Sequence, residues 1–171
     1  MPGYVIHLAV AEEYLRKHAN KPEDYNEFIE GVIYPDSTKI KSETHYGEKS
    51  SQSNVYEFSK EHELNNSFER GYFLHLLTDY LFYNRYIDTI SNEIYSDYDI
   101  LNDKLIEKYN VKLPEEVKNT VSSKEGKLKI LSMELLDKLI EEISNYDLDE
   151  LSIDIKKEPL KWTRMRKLKR L

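Results

Sequence analysis

Apolar residues recur every three to four positions along most of this chain, and that spacing predicts helices. Val5, Leu8, Ala9 and Leu15, with Glu12 between them, lie on one helical period and predict a first helix from about 4 to 18. A second helix starts near Pro22, with Glu23 and Asp24 in its first turn, where the helix dipole favours acids. It runs through Phe28, Ile29 and Val32 and stops at Pro35, because a residue before proline avoids helical geometry. Residues 36–54 form a polar loop, long enough to be either functional or disordered. A third helix fits 55–64, and "NNS" at Asn65–Ser67 breaks the chain and caps the next helix. The fourth, 68–94, is the longest. Its first half, "GYFLHLLTDYLF", is apolar on nearly every face, as expected of a central buried element. Further helices fit 98–109, 114–121 and 124–144, the last with Leu128, Leu131, Leu135, Leu136, Leu139 and Ile143 on one side. The segment "LDELSIDIKK" reads as a short strand or an irregular arm. With five Gly, five Pro and no recurring strand–turn–strand pattern, the expected architecture is a single all-α multi-helix domain over 1–155, followed by a tail at 156–171.

Composition narrows the function classes. A charged fraction of 33% describes a well-solvated surface, and no stretch approaches the length of a membrane span. The start, "MPGYVIHLAVAEEYLRKH", lacks a basic leader and a cleavage site, so it reads as mature protein. Without cysteine there are no disulfides and no thiolate ligands. Any transition metal must then be held by His, Asp or Glu, and a cytoplasmic home fits. Charge is unevenly placed. From Lys156 to Leu171 there are eight Lys or Arg and one Glu, a local +7; the whole chain is −7, so the other 155 residues carry −14. An acidic body argues against broad nucleic-acid binding. The basic tail is suited to RNA, anionic lipid or an acidic partner, or it folds back on the body or stays solvated.

Two ionisable groups sit where a core is expected. His75 and Asp79, at i and i+4, leave the same helix face one turn apart. A buried carboxylate must be paired or bound to a cation, so the two either hydrogen-bond within the core or form two arms of a metal site. His18 and His62, among polar neighbours, read as exposed surface groups. His7 lies beside Val5, Ile6 and Leu8. Asp36 opens the polar loop in "YPDS" and His45 lies within it in "THYG"; loop residues are not needed for packing. Together His7, Asp36, His45, His75 and Asp79 supply three imidazoles and two carboxylates, a donor set suited to Zn²⁺, Mn²⁺ or Fe²⁺.

The stretches "YVIHLAVAEEYL", "FIEGVIYPDS", "THYG" and "ERGYFLHLLTDYLFYNRYI" occur in an order and spacing that resemble the bacterial zinc-dependent phospholipase C-like proteins, related more distantly to zinc-dependent single-strand nucleases. Gly31 and Gly71 also fall at the matching places. The likeness covers roughly residues 1 to 90. It implies a phospholipase C or zinc nuclease-like helical fold around a central H-x-x-x-D helix. It also implies His7, Asp36, His45, His75 and Asp79 as ligands of one or two ions, Zn²⁺ first among them. Asp79 would bridge, with His7 on one ion and Asp36, His45 and His75 on the other. The chain departs from the pattern in two places. "FYNRYI" stands where many members have His-Pro-Tyr, and no histidine follows His75, so a third-metal cluster is not implied.

The expected activity is that of a metal-dependent hydrolase of phosphoric esters, with a small molecule or a lipid as substrate. A divalent ion would supply a water of lowered pKa. Asp36 is either a ligand or the general base. Arg85 either reaches a substrate phosphate or makes a surface ion pair, and Tyr83 and Asn84 are further candidate substrate contacts. The alternative is a non-catalytic, metal-stabilised module that binds a partner or an anionic surface, with Trp162 and Met165 among the cations of its tail.

Overall fold

The computed structural model describes residues 3–171. Ten α-helices account for most of them: α1 (Tyr4–Lys17), α2 (Tyr25–Ile33), α3 (Ser42–His45), α4 (Val55–Glu61), α5 (Ser67–Leu81), α6 (Glu93–Tyr109), α7 (Glu115–Lys118), α8 (Met133–Ser144), α9 (Leu148–Lys157) and α10 (Pro159–Trp162). The architecture is all-α, apart from two two-residue strands, β1 (Thr89–Ile90) and β2 (Lys169–Arg170), which pair in parallel. None of the helices is long and apolar enough to cross a membrane.

Four of the helix starts follow one local rule. The side chains of Asp24, Asn54, Asn66 and Asp147 each accept from the backbone N–H of a glutamate three residues on, Glu27, Glu57, Glu69 and Glu150. Each cap satisfies a donor the helix cannot. Helix α5 is the central element: from Gly71 to Leu81 every residue is buried. Its widest neighbour is α2, while α1 runs between α6 and α8. The core is filled by Leu8, Val10, Phe28, Phe58, Phe73, Leu77 and Leu139, all fully buried.

Several elements differ from the sequence expectation. The 36–54 segment is not structureless: it starts at the end of a 3-10 turn, Tyr34–Asp36, and contains α3 and a second 3-10 turn at Ser50–Gln52. Helix α5 stops at Leu81 instead of continuing to 94. It widens into a π-turn over Phe82–Tyr86 and becomes extended at Ile87. There Asn84 Nδ2 donates to the Tyr80 carbonyl, and Arg166 donates to the Ile87 carbonyl, side-chain bonds that compete with the helical ladder. Residues 124–132 are not helical. Buried Asp97 accepts from the backbone N–H groups of Lys129, Ile130 and Leu131 and holds that stretch open. "LDELSIDIKK" is neither strand nor arm but α9, with Leu148, Leu151, Ser152 and Ile155 buried at helical spacing.

The boundary expected at 155/156 falls inside α9, and the basic segment packs on the body. Trp162 is buried, Tyr80 donates its hydroxyl to the Lys161 carbonyl, and β2 lies beside β1. His18 and His62 are half-buried rather than exposed. His18 stacks on Tyr14 and contacts the Ser144 carbonyl at 2.9 Å. His62 joins Tyr46 (2.6 Å) to Glu69 (2.7 Å).

Candidate metal centre

Four backbone elements bring His7, Asp36, His45, His75 and Asp79 to one place. His7 lies one turn into α1, on the face buried against α5. Pro35 closes α2 and turns the chain so that Asp36 follows in a 3-10 turn. There the Tyr4 hydroxyl donates to the Asp36 carbonyl (2.9 Å), and Lys41 Nζ donates to Asp36 Oδ1 (3.1 Å). His45 ends α3, and Tyr46 after it adopts a left-handed conformation that stops the helix. His75 and Asp79 come from α5. The side chains of all five are at most 1% exposed.

The Nε2 atoms of the histidines converge on the two carboxylates. His7 Nε2 is 3.0 Å from Asp79 Oδ1. His45 Nε2 is 3.1 Å and His75 Nε2 3.3 Å from Asp79 Oδ2. Asp36 closes the other side, with Oδ1 3.4 Å from His45 Nε2 and Oδ2 3.6 Å from His75 Nε2. The His7 and His75 rings stack with centroids 3.6 Å apart and planes within 6°. Two groups, His7–His75–Asp79 and Asp36–His45–His75, each hold one ligand atom per residue within 4.8 Å of the others, so either can hold a metal ion.

In His75 and His45 the opposite edge of the ring fixes which nitrogen faces inward, whereas His7 Nδ1 is buried without a partner. His75 Nδ1 lies 2.7 Å from the Val32 carbonyl. A carbonyl only accepts, so Nδ1 bears the hydrogen and neutral His75 turns the Nε2 lone pair toward the carboxylates. His45 is set by one further bond. The Thr44 hydroxyl donates to the Pro35 carbonyl (2.8 Å), so at His45 Nδ1 (3.0 Å) it must accept. Lone pairs facing carboxylates repel unless a proton or a cation lies between them. Consistently, Nε2 of all three histidines, Asp36 Oδ2 and Asp79 Oδ1 are buried with no hydrogen-bond partner. Buried polar atoms are rarely left in that state, and second partners on Nδ1 are what orient metal-binding imidazoles. The donor set and its orientation therefore fit a divalent ion.

The electrostatics are those of buried groups that face opposite charge. Burial disfavours charge on His75, yet the Asp36 and Asp79 carboxylates outweigh it and push its pKa up to about 10. His45 is raised in the same way, against its burial, by Asp36 and Asp79. His7 goes down, because burial and the neighbouring His75 charge exceed the pull of Asp79. Burial also works against ionised Asp36 and Asp79, but the facing imidazoles hold both well below the usual carboxylate range.

Sequence reasoning did not single out Tyr4, Lys41, Thr44 or Tyr98. Thr44 and Lys41 were within reach, lying beside His45 and five residues after Asp36. Tyr98, from α6, is almost fully buried, its hydroxyl has no partner, and after burial the Asp79 charge is the strongest influence raising its pKa. A cleft of about 240 Å³ at the start of α1 is lined by Gly3, Tyr4, Tyr98 and Asn102, and so shares two residues with the surroundings of the centre. A cleft of about 1040 Å³ lies between α1, α6 and α8 and includes none of the five.

The three candidate substrate contacts follow Asp79 on the 82–86 turn. Arg85 pairs with Glu142, which also accepts from Tyr86 and Tyr146. The Asn84 amide joins the Tyr80 carbonyl to the Arg166 N–H. Tyr83 is buried with an unpartnered hydroxyl. Among the described residues none of the three bonds to the five-residue cluster. Compared with protein-family models, with curated proteins and with solved structures, the chain matches none.

Proposed function

We propose that this protein is a metal-dependent hydrolase, with a phosphoric ester as its substrate class. The observation behind the reading is the pair of imidazoles whose Nδ1 edges are tied off by Val32 and Thr44, leaving two Nε2 atoms aimed at two carboxylates. A divalent ion held there by His7, Asp36, His45, His75 and Asp79 would supply Lewis acidity and a water of lowered pKa. Zinc suits three imidazoles and two carboxylates best.

The chain's own residues have separable tasks in this reading. Asp79 presents its two oxygens to different partners, Oδ1 to His7 and Oδ2 to His45 and His75, the arrangement a bridging carboxylate needs. Asp36 shares its charge between His45, His75 and Lys41; its Oδ2, free of hydrogen bonds, is left as a ligand atom, and its depressed pKa makes it a weak proton acceptor. Tyr4 holds the Asp36 backbone, and the cleft at Tyr4 and Tyr98 is the approach for a small substrate.

A second reading has its own observation. Every ligand is almost fully buried, and closed sites of this kind serve a structural ion. The experiment is metal analysis followed by turnover. Purified protein loaded with Zn²⁺ or Mn²⁺ is assayed on phosphodiesters, monoesters, nucleotides and phospholipids, alongside His75→Ala. Turnover lost in the variant supports the hydrolase. A stoichiometric ion with no turnover on any substrate supports the structural ion. Substoichiometric metal under every loading condition removes both.

A further inference from the structure

A second concave site lies where the C-terminal segment packs against the end of α5. The cleft has a volume of about 350 Å³ and is lined by Asn84, Arg85, Lys161, Arg164, Arg166 and Met165, among others, with no carboxylate in its wall. Only one of the four cations is well compensated: Arg85 pairs with Glu142. Lys161 has a loose contact of 3.7 Å with Glu158, both side chains being more than half exposed. Arg166 spends its guanidinium on the neutral carbonyls of Ile87 and Arg85, so its charge stays unbalanced. Arg164 has no ion pair among the described residues. Concave walls of one sign concentrate the field and attract counter-charge.

The surroundings say which anion. Lys167, Lys169 and Arg170 continue the positive surface, and Lys167, Lys169 and Arg170 lie in the partly to fully exposed C-terminal stretch. Among these cations Leu160 is 81% exposed, Leu171 68% and Met165 41%. A soluble phosphate needs no apolar neighbours, and RNA is served by stacking aromatics, whereas the one tryptophan here is buried. Lys and Arg beside exposed aliphatic side chains match a bilayer interface, with charge for the headgroups and apolar groups for the acyl boundary. The body, at −14 against +7 in the segment, carries the opposite net charge, which favours approach through the segment.

We propose that the cleft between the 82–86 turn and residues 161–166 binds phosphate headgroups of an anionic bilayer, with Leu160, Met165 and Leu171 entering the interface. The inference does not depend on the metal centre. The test is co-sedimentation of the full chain with phosphatidylcholine vesicles, with and without about one third phosphatidylglycerol. Binding is expected only to the anionic vesicles, falling as salt rises. Lys161→Glu with Arg164→Glu should weaken it about tenfold or more with melting temperature unchanged, and Leu160→Asp should weaken it as well. Arg164→Glu alone serves if the double variant misfolds. Absence of binding to the anionic vesicles, or equal binding by the charge-reversed variant, overturns the proposal. So does binding abolished by inorganic phosphate and indifferent to Leu160→Asp, which would mark a soluble phosphate ligand. Tighter binding to an RNA oligonucleotide than to vesicles overturns it too.

Discussion

Gly31 and Gly71 stand against one another: a Cβ on Gly31 would lie 2.1 Å from the Phe68 carbonyl oxygen, and one on Gly71 would lie 2.1 Å from that of Phe28. No side chain fits there, so α2 and α5 approach backbone to backbone. That contact lets the Val32 carbonyl reach His75 Nδ1 and sets Asp36, just past α2, opposite His75 Nε2. Gly71→Ala must push the helices apart. Overpacking of this kind costs about 1–3 kcal/mol, readable as a lower melting temperature. Metal affinity should fall as well, since Val32 and His75 separate. A variant that melts like the parent and binds metal equally would refute the coupling.

Metal binding should stabilise the folded chain and need His75. A ligand at 100 times its dissociation constant adds about 2.7 kcal/mol. Zinc titration should therefore raise the melting temperature of the parent and leave that of His75→Ala and Asp79→Asn nearly unchanged. A rise of equal size in all three would place the ion elsewhere.

The pH dependence has opposite signs with and without metal. His75 is raised, so in the metal-free chain its ion pairs stabilise fully below the ordinary imidazole value of about 6.5 and are lost as pH climbs through about 10. Asp36 and Asp79 are depressed, so their side of the same pairs is present above the ordinary carboxylate value of about 4 and lost as pH falls through the depressed values. A metal must displace the proton from His75. The stabilisation by zinc should therefore grow from about pH 6 to about pH 9, with proton release visible by calorimetry in buffers of differing ionisation enthalpy. Uptake indifferent to pH would contradict the assigned Nε2 orientation.

Tyr98→Phe separates an idle hydroxyl from a useful one. A buried hydroxyl without a partner is unfavourable by about 1–3 kcal/mol, so the metal-free variant should be as stable as the parent or more so. In cobalt-loaded protein, if that hydroxyl bonds within the centre, the variant should lose stability and shift the visible spectrum of the ion. Identical spectra would show that Tyr98 plays no part there.

Much of the centre was legible because its signals are local. His75 and Asp79 share a face by spacing alone, and Pro35 fixes a helix end. The groups that orient the ligands were not, since the Val32 and Pro35 carbonyls are backbone and have no residue type to read. In the fold, α9 was misread because L-S-I-D-I alternates, although Asp147 and Glu150 mark a capped helix start. The end of α5 and the open 124–132 stretch are set from a distance, by Arg166 and Asp97, and no window around either segment contains that information. His18 and His62 have polar sequence neighbours but meet Tyr14 and Phe58 in space.

All five residues of the centre precede Leu81, whereas Tyr98 arrives on α6 and the strand that pairs with Thr89–Ile90 is the last part of the chain. Synthesis from the ribosome delivers these pieces in that order. The whole donor set is thus in the nascent chain before Tyr98 and the rest of α6 are made.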